Sequence, residues 1–382
     1  MSGRLQFFAK SLGFTRTSFW VLLMVAALTL LGLVVLFSAS QAMDVSGNPI
    51  FKKQLIWLGV AVFAGIVMTS LDLELLESKP LILCVSGISL TALVLVLVPA
   101  FGVEVNGARR WLGFGSFRFQ VSEFAKFGFV LVFSYYLAAN QRRMESIIYG
   151  FVIPCAIIAL TAGLVLLEPD FGTAFLCGLV GATMLFLAGA RLIYLLPSFL
   201  GALLLFSLAV FLDPVRLKRI TSFLDVEANK SDGAYQLWQG ILAFGAGGVD
   251  GVGLGHGRQQ LSFLPEAHTD FIFPIIGEEL GLIFSAGVAL LFLLIFALGV
   301  IGLRKAPNLF QFSLACGALF FLVYQALINM GVVTGCLPTK GMSLPFISYG
   351  GSNLIVMYMM VGLLLNCFRT WAKPPRIRTR DL

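Results

Sequence analysis

The chain has 382 residues, of which 59% are apolar and 12% charged, where soluble globular proteins average about 45–50% and 25%. A water-soluble fold is excluded, because the surplus of apolar side chains exceeds what one core can hide and must face lipid. The net charge of +7 comes from Lys and Arg scattered between apolar stretches and in short tails. With no basic domain or stripe, this argues against nucleic acid and for anionic lipid as the partner of the positive charge.

In chain order, residues 1–18 form a tail in which Arg4, Phe7, Phe8, Lys10, Leu12, Phe14 and Arg16 are either a basic interfacial helix or a solvated arm. The first apolar span, 19–38, ends in Ser38-Ala39-Ser40, which resembles a signal-peptidase site. Its apolar core is longer than the roughly 7–15 residues of a cleaved signal, so an uncleaved anchor is expected. Further spans are expected at 55–70, 81–98, 121–139, 148–166, 171–189, 192–211, 272–303, 311–335 and 349–371, since about 20 apolar residues cross the hydrocarbon layer. The predicted fold class is an all-α polytopic membrane protein of about ten transmembrane helices (19–371), with one large extracytoplasmic loop at 212–271 and a basic tail at 372–382. Most Lys and Arg of the tails and short loops fall on the side that carries both termini, so both tails are expected in the cytoplasm. The stretch Arg369 to Arg380 then reads as a positive-inside anchor.

Charges inside a bilayer are costly and mark function or pairing. Glu123 and Lys126 share one helix face in the fourth span and are expected to neutralise each other. The eighth span opens on Asp270 and carries Glu278 and Glu279, Glu168-Pro169-Asp170 joins the fifth and sixth, and Gln325, Asn329 and Asn353 lie in the outer halves of the last two. This polarity is one-sided. It describes a cavity open to the outside, whereas a channel or transporter carries its polar lining through the midplane. Loop 99–120 holds Arg109, Arg110, Trp111 and Arg118 on the side where few cations are expected. The arginines suit paired phosphate oxygens, and Trp111 suits a sugar face or the headgroup level. Headgroup contacts within an aromatic belt are the competing reading.

The glycines between Gly245 and Gly257 have no βαβ context, so a nucleotide loop is not expected, and a flexible segment near the membrane surface is. His256 and His268 have no cysteine nearby, and no HExxH run occurs, so zinc is not signalled. Cys84, Cys155, Cys177, Cys316, Cys336 and Cys367 lie in or at the rim of apolar spans and read as small packing residues.

Several runs converge on one family. They are Ala108-Arg109-Arg110-Trp111, Ser122-Glu123-Phe124-Ala125-Lys126, Glu168-Pro169-Asp170-Phe171-Gly172-Thr173, Tyr235-Gln236, Leu264-Pro265-Glu266-Ala267-His268-Thr269-Asp270-Phe271-Ile272-Phe273, Gly277-Glu278-Glu279-Leu280-Gly281, Leu337-Pro338-Thr339-Lys340-Gly341 and Phe346-Ile347-Ser348-Tyr349-Gly350-Gly351-Ser352. From the first span to the tenth, the chain resembles the SEDS family of shape, elongation, division and sporulation proteins, which polymerise peptidoglycan. The forms at 264–273 and 337–341 are closer to its division branch than to its elongation branch. Pro274 stands where the family usually has a small residue and Asn353 where it usually has serine. Neither departure removes a proposed reacting group.

The resemblance implies lipid II as substrate, polymerised at the outer face of the bacterial cytoplasmic membrane and at the division site. It implies Asp270 as the catalytic base, with Arg109, Arg110, Trp111, Glu123, Lys126, Glu266, His268, Glu278, Lys340 and Ser352 as substrate-binding positions. Helix capping is the competing role for Asp270, since aspartate caps well. Partial burial beside Glu266, Glu278 and Glu279 should raise its pKa. No Asp-x-Asp motif occurs, so metal use is not signalled and no cofactor is assigned, although a diphosphate can recruit a divalent cation without such a motif. The implied partners are a class B penicillin-binding transpeptidase and other division proteins. The rival functions are lipid II flipping and a non-catalytic scaffold.

Overall fold

A computed structural model describes residues 15–43, 49–105, 107–114, 117–212, 214–259 and 264–372. The tail segments 4–14 and 373–382, on which an interfacial helix and a positive-inside anchor are expected, lie outside the described residues. The chain forms a helical bundle, because in lipid a helix satisfies its backbone groups within itself.

Ten helical segments occupy the ten expected spans: α1 (Arg16–Met43), α2 (Pro49–Ser70), α4 (Lys79–Leu97), α5 (Val121–Ala139), Ile148–Leu167 (a π turn leading into α6, Ile153–Leu167), α7 (Phe171–Leu187), α8 (Leu192–Phe211), α11 (Ile272–Leu303), α12 (Leu309–Val333) and α13 (Gly351–Trp371). Among the described residues, eight of them are long and apolar enough to cross a membrane, and α7 is a shorter apolar helix. The protein is a multi-pass membrane protein. A one-turn helix, α3 (Leu73–Leu76), links α2 to α4. The α1 helix is tied into the bundle by the Ser38 hydroxyl, which donates to Glu279 Oε1 at 2.6 Å.

The centre is α5, α12 and α13, largely buried along their length. Glycine lets α2 and α13 meet backbone to backbone: a Cβ at Gly362 would sit 2.3 Å from the Gly65 carbonyl oxygen, the close approach that small residues give membrane helices. Loop 99–120, expected on the outer side, folds into an antiparallel sheet ordered β1 (Gly102–Val105), β2 (Ala108–Phe114) and β3 (Phe117–Gln120). Trp111 pairs with Val103 on one side and Gln120 on the other. This sheet is absent from the sequence expectation, because its strands are too short and too irregular in polarity to show a period-two pattern.

The long 212–271 loop contains two helices, α9 (Pro214–Leu224) and α10 (Tyr235–Gly247). The flexible glycine segment expected here is corrected by the structure. Gly247 and Gly251 lie so close to α11 that a Cβ would come within 1.9 Å of the Gly277 carbonyl oxygen and 2.3 Å of that of Glu279. α11 is interrupted at Gly281 (φ 78°, ψ −174°), and segment 248–253 enters the break. Val252 N–H donates to Glu278 O (2.9 Å), Gly253 N–H to Glu279 O (3.0 Å) and Leu282 N–H to Gly248 O (3.0 Å). The freed carbonyls are thereby satisfied, as irregular backbone at membrane depth requires.

Candidate active site

Asp270 ends a tight turn before α11. Glu266 adopts the left-handed region (φ 55°), and its carbonyl accepts from the N–H groups of Thr269 (3.1 Å) and Phe271 (3.3 Å). The turn is fixed from α12, where Asn329 Nδ2 donates to the Asp270 carbonyl at 2.8 Å. The helix-capping role for Asp270 is absent: the N-cap position is Phe271, and no side chain caps the helix. Asp270 is held through its backbone and lines a cavity of about 370 Å³.

Gly341 forms part of the wall, where a Cβ would clash with Asp270 Oδ2 at 2.5 Å. Two lysines line the cavity, Lys218 from α9 and Lys340 from the loop after α12, together with Asp232, Gly233, Gln236, Phe271 and Thr339. Burial pushes the Asp270 carboxyl up to about 7, the negative charges of Glu266 and Asp170 push the same way, and Arg110 opposes them. A carboxyl titrating there is poised to take a proton near neutral pH. Burial lowers the Lys340 ammonium while Asp170 raises it, and the ammonium lies over the Phe175 ring, 4.9 Å from its centre.

A carboxylate and two lysines lining one cavity suit group transfer with an anionic leaving group. The family model for the cell cycle proteins FtsW, RodA and SpoVE matches residues 18–372. The chain belongs to this family. It is 39% identical to the probable peptidoglycan glycosyltransferase FtsW of Coxiella burnetii, over 91% of this chain and 94% of that one. It is 40% identical to the corresponding protein of Trichlorobacter lovleyi, over 91% of each. Among solved structures it is similar to a chain of a peptidoglycan synthase complex that coordinates polymerization and crosslinking (TM-score 0.77, 28% identity, 93% of this chain and 98% of that one). It is also similar to the rod shape determining protein RodA of Thermus thermophilus (TM-score 0.68, 28% identity, 93% and 97%).

Of the positions the FtsW, RodA and SpoVE resemblance singled out, Asp270 and Lys340 line the cavity. Glu266 and His268 lie on the turn beside it. The His268 ring packs against Tyr349 at 5.7 Å, its Nδ1 is buried without a hydrogen bond among the described residues, and burial lowers its pKa while Glu266 raises it.

The remaining positions are committed elsewhere. Arg109 pairs with Glu104 across β1 and β2 at 3.1 Å. Arg110 clasps the turn after α6, donating to the carbonyls of Glu168 (2.9 Å) and Pro169 (2.6 Å). Trp111 sits in the sheet. Lys126 is buried between Glu123 Oε2 (2.7 Å) and Gln325 Oε1 (2.8 Å); the expected ion pair is present, but inside the bundle. Gln325 continues the chain by donating to Asn353 Oδ1 at 2.9 Å, which gives the departure from serine at 353 a role as acceptor. Ser352 accepts from Gln120 N–H at 2.9 Å.

Glu278 departs furthest from expectation. Its Oε1 accepts from the N–H of Arg258 at 2.8 Å, so it grips the 251–259 segment and does not face the cavity. Pro274 lies in the first turn of α11, where its missing N–H breaks no bond, and the helix runs through it. Lys218 and Asp232 were missed. The available signal was a cationic run, Arg216-Leu217-Lys218-Arg219, on the side where cations are disfavoured.

Proposed function

We propose that the protein polymerises lipid II at the outer face of the bacterial cytoplasmic membrane, with Asp270 as general base. It is a peptidoglycan glycosyltransferase of the FtsW type, serving septal wall synthesis. The 4-hydroxyl of the acceptor's GlcNAc attacks the anomeric carbon of the donor's MurNAc, the hydroxyl proton passes to Asp270, and the lipid diphosphate leaves with the bonding electron pair. One displacement inverts the anomeric carbon. An alcohol needs such a base, and positioned bases contribute about 10²–10⁴-fold.

The observation that carries this reading is the placement of Asp270: its backbone is pinned by Asn329, it caps no helix, and it lines a cavity that two lysines also line. His268 and Glu266 shape the turn that presents it. Preorganised cations on the expelled phosphate supply the complementary stabilisation. Among the described residues no cluster of three or more His, Cys, Asp or Glu is arranged to hold a metal. Both termini are assigned to the cytoplasm on the Lys and Arg distribution. A class B transpeptidase is assigned as partner, in keeping with a similar chain solved in a complex that couples polymerization to crosslinking.

The test is glycan formation from purified lipid II in detergent micelles, which contain no second compartment. Strands that lengthen with time support polymerisation. Translocation of lipid II between vesicle leaflets without strand formation would support the flippase.

A further inference from the structure

None of the cations singled out from the sequence as substrate-binding, Arg109, Arg110 and Lys126, lines the cavity that holds Asp270: Arg109 pairs with Glu104, Arg110 holds two backbone carbonyls, and Lys126 is buried between Glu123 and Gln325. That cavity has its own pair, Lys218 and Lys340. Lys218 is ion-paired with Asp232, which lines the same cavity, and both side chains are more than half exposed. We propose that Lys218 receives the departing diphosphate, exchanging Asp232 for it. This deepens the polymerase reading and rests on it.

The local fold builds the pair. α9 places Lys218 one turn before Ser222, and the 225–234 turn closes on that helix through Gly233, where a Cβ would lie 2.3 Å from Ser222 Oγ and 3.9 Å from Lys218 Cγ. The turn is held by Asp232 N–H and Ala234 N–H, which both donate to the Asn229 carbonyl, at 3.0 and 3.2 Å. Asp232 is thereby presented to Lys218 from a fixed backbone. An exposed pair of single charges is weak and readily exchanged, and a diphosphate carries more charge and more acceptor oxygens than one carboxylate.

In the transfer, the bond between the anomeric carbon and the phosphate oxygen breaks, its electron pair goes to that oxygen, and the new charge falls next to Lys218. The proton released by the attacking hydroxyl resides on Asp270. When the lipid diphosphate leaves, Lys218 returns to Asp232 and the site is reset.

The test is binding of farnesyl diphosphate, a soluble prenyl diphosphate, to the full-length protein in detergent, with lipid II polymerisation measured in parallel. Lys218→Ala is expected to weaken binding about tenfold, as loss of a charge-assisted hydrogen bond does. Lys218→Arg should retain binding, and Asp232→Asn should tighten it by removing the competing carboxylate. A merely structural salt bridge predicts that Lys218→Ala and Asp232→Asn act alike, because each breaks the same contact. Equal effects of these two variants, or unchanged affinity in Lys218→Ala, would overturn the proposal. Glycan synthesis that persists beside unchanged binding in Lys218→Ala removes the diphosphate site alone. Lys218-dependent binding by a wild-type protein that makes no glycan removes the polymerase reading and leaves the diphosphate site standing.

Discussion

At the scale of single residues, the chemistry turns on how acidic groups are surrounded. Asp270 titrates at about 7 because burial and the charges of Glu266 and Asp170 outweigh Arg110. A base must be ionised, so polymerisation should rise with pH through about 7 and level off above it. Glu266→Gln removes a charge that holds the proton on, and should move that inflection to lower pH. Arg110→Ala should move it higher. Rate against pH for the three proteins checks both signs.

Glu168 has both carboxylate oxygens buried without a hydrogen bond among the described residues. Burial first and Asp170 second push its carboxyl up to about 8, against Arg110. Its folded pKa lies above the ordinary value, so its contribution to stability is complete in acid and is lost as pH rises towards about 8. Glu168→Gln, which stays neutral, should therefore raise the unfolding temperature above wild type at pH 9 and change it little at pH 5. Thermal unfolding at the two pH values is the measurement.

The Glu123–Lys126 pair was legible in the sequence, because a spacing of three places both groups on one helix face. Its burial was not, since the partner that encloses it, Gln325, comes from α12, far along the chain. Lys126→Met leaves Glu123 buried without its counter-charge and should cost about 3–5 kcal/mol. Adding Glu123→Gln should restore most of that loss, as unfolding of the two variants in detergent will read.

Among the elements, the apolar runs located all ten expected helices, because lipid imposes a length and a composition on each. What they did not convey were features fixed by contacts between distant segments: the sheet at 102–120, the helices α9 and α10, and the seating of 248–259 in the break of α11. Lys218 and Asp232 face each other only once Gly233 closes the turn on α9, so neither stood out as a cavity residue. Arg109 and Arg110 looked like anion binders because their own partners, Glu104 across a hairpin and the carbonyls of 168 and 169, appear only on folding. The break at Gly281 makes a sharp prediction. A Cβ there would meet the Val249 carbonyl oxygen at 2.3 Å, in a conformation side chains disfavour, whereas one at Gly287 in the same helix meets nothing within 4 Å. Gly281→Ala should destabilise by at least about 1–3 kcal/mol, and Gly287→Ala should be neutral or stabilising. Unfolding in detergent compares the two.

For the whole molecule, Asp270, Lys218, Asp232 and Lys340 gather at one cavity. The turn at 264–271, the loop after α12 and the 212–271 segment meet there, while α5, α12 and α13 form a tightly packed centre. That arrangement suits a polymerase that works on a lipid-tethered sugar diphosphate without carrying it across. On the function proposed above the transfer depends on Asp270, and its conservative replacement by asparagine keeps the shape of the turn while removing the proposed base. The decisive measurement is the rate of glycan synthesis from lipid II by wild type and Asp270→Asn, at equal protein and matched unfolding temperature. A loss of at least about 100-fold is predicted; strand synthesis at an undiminished rate by the asparagine variant would contradict it.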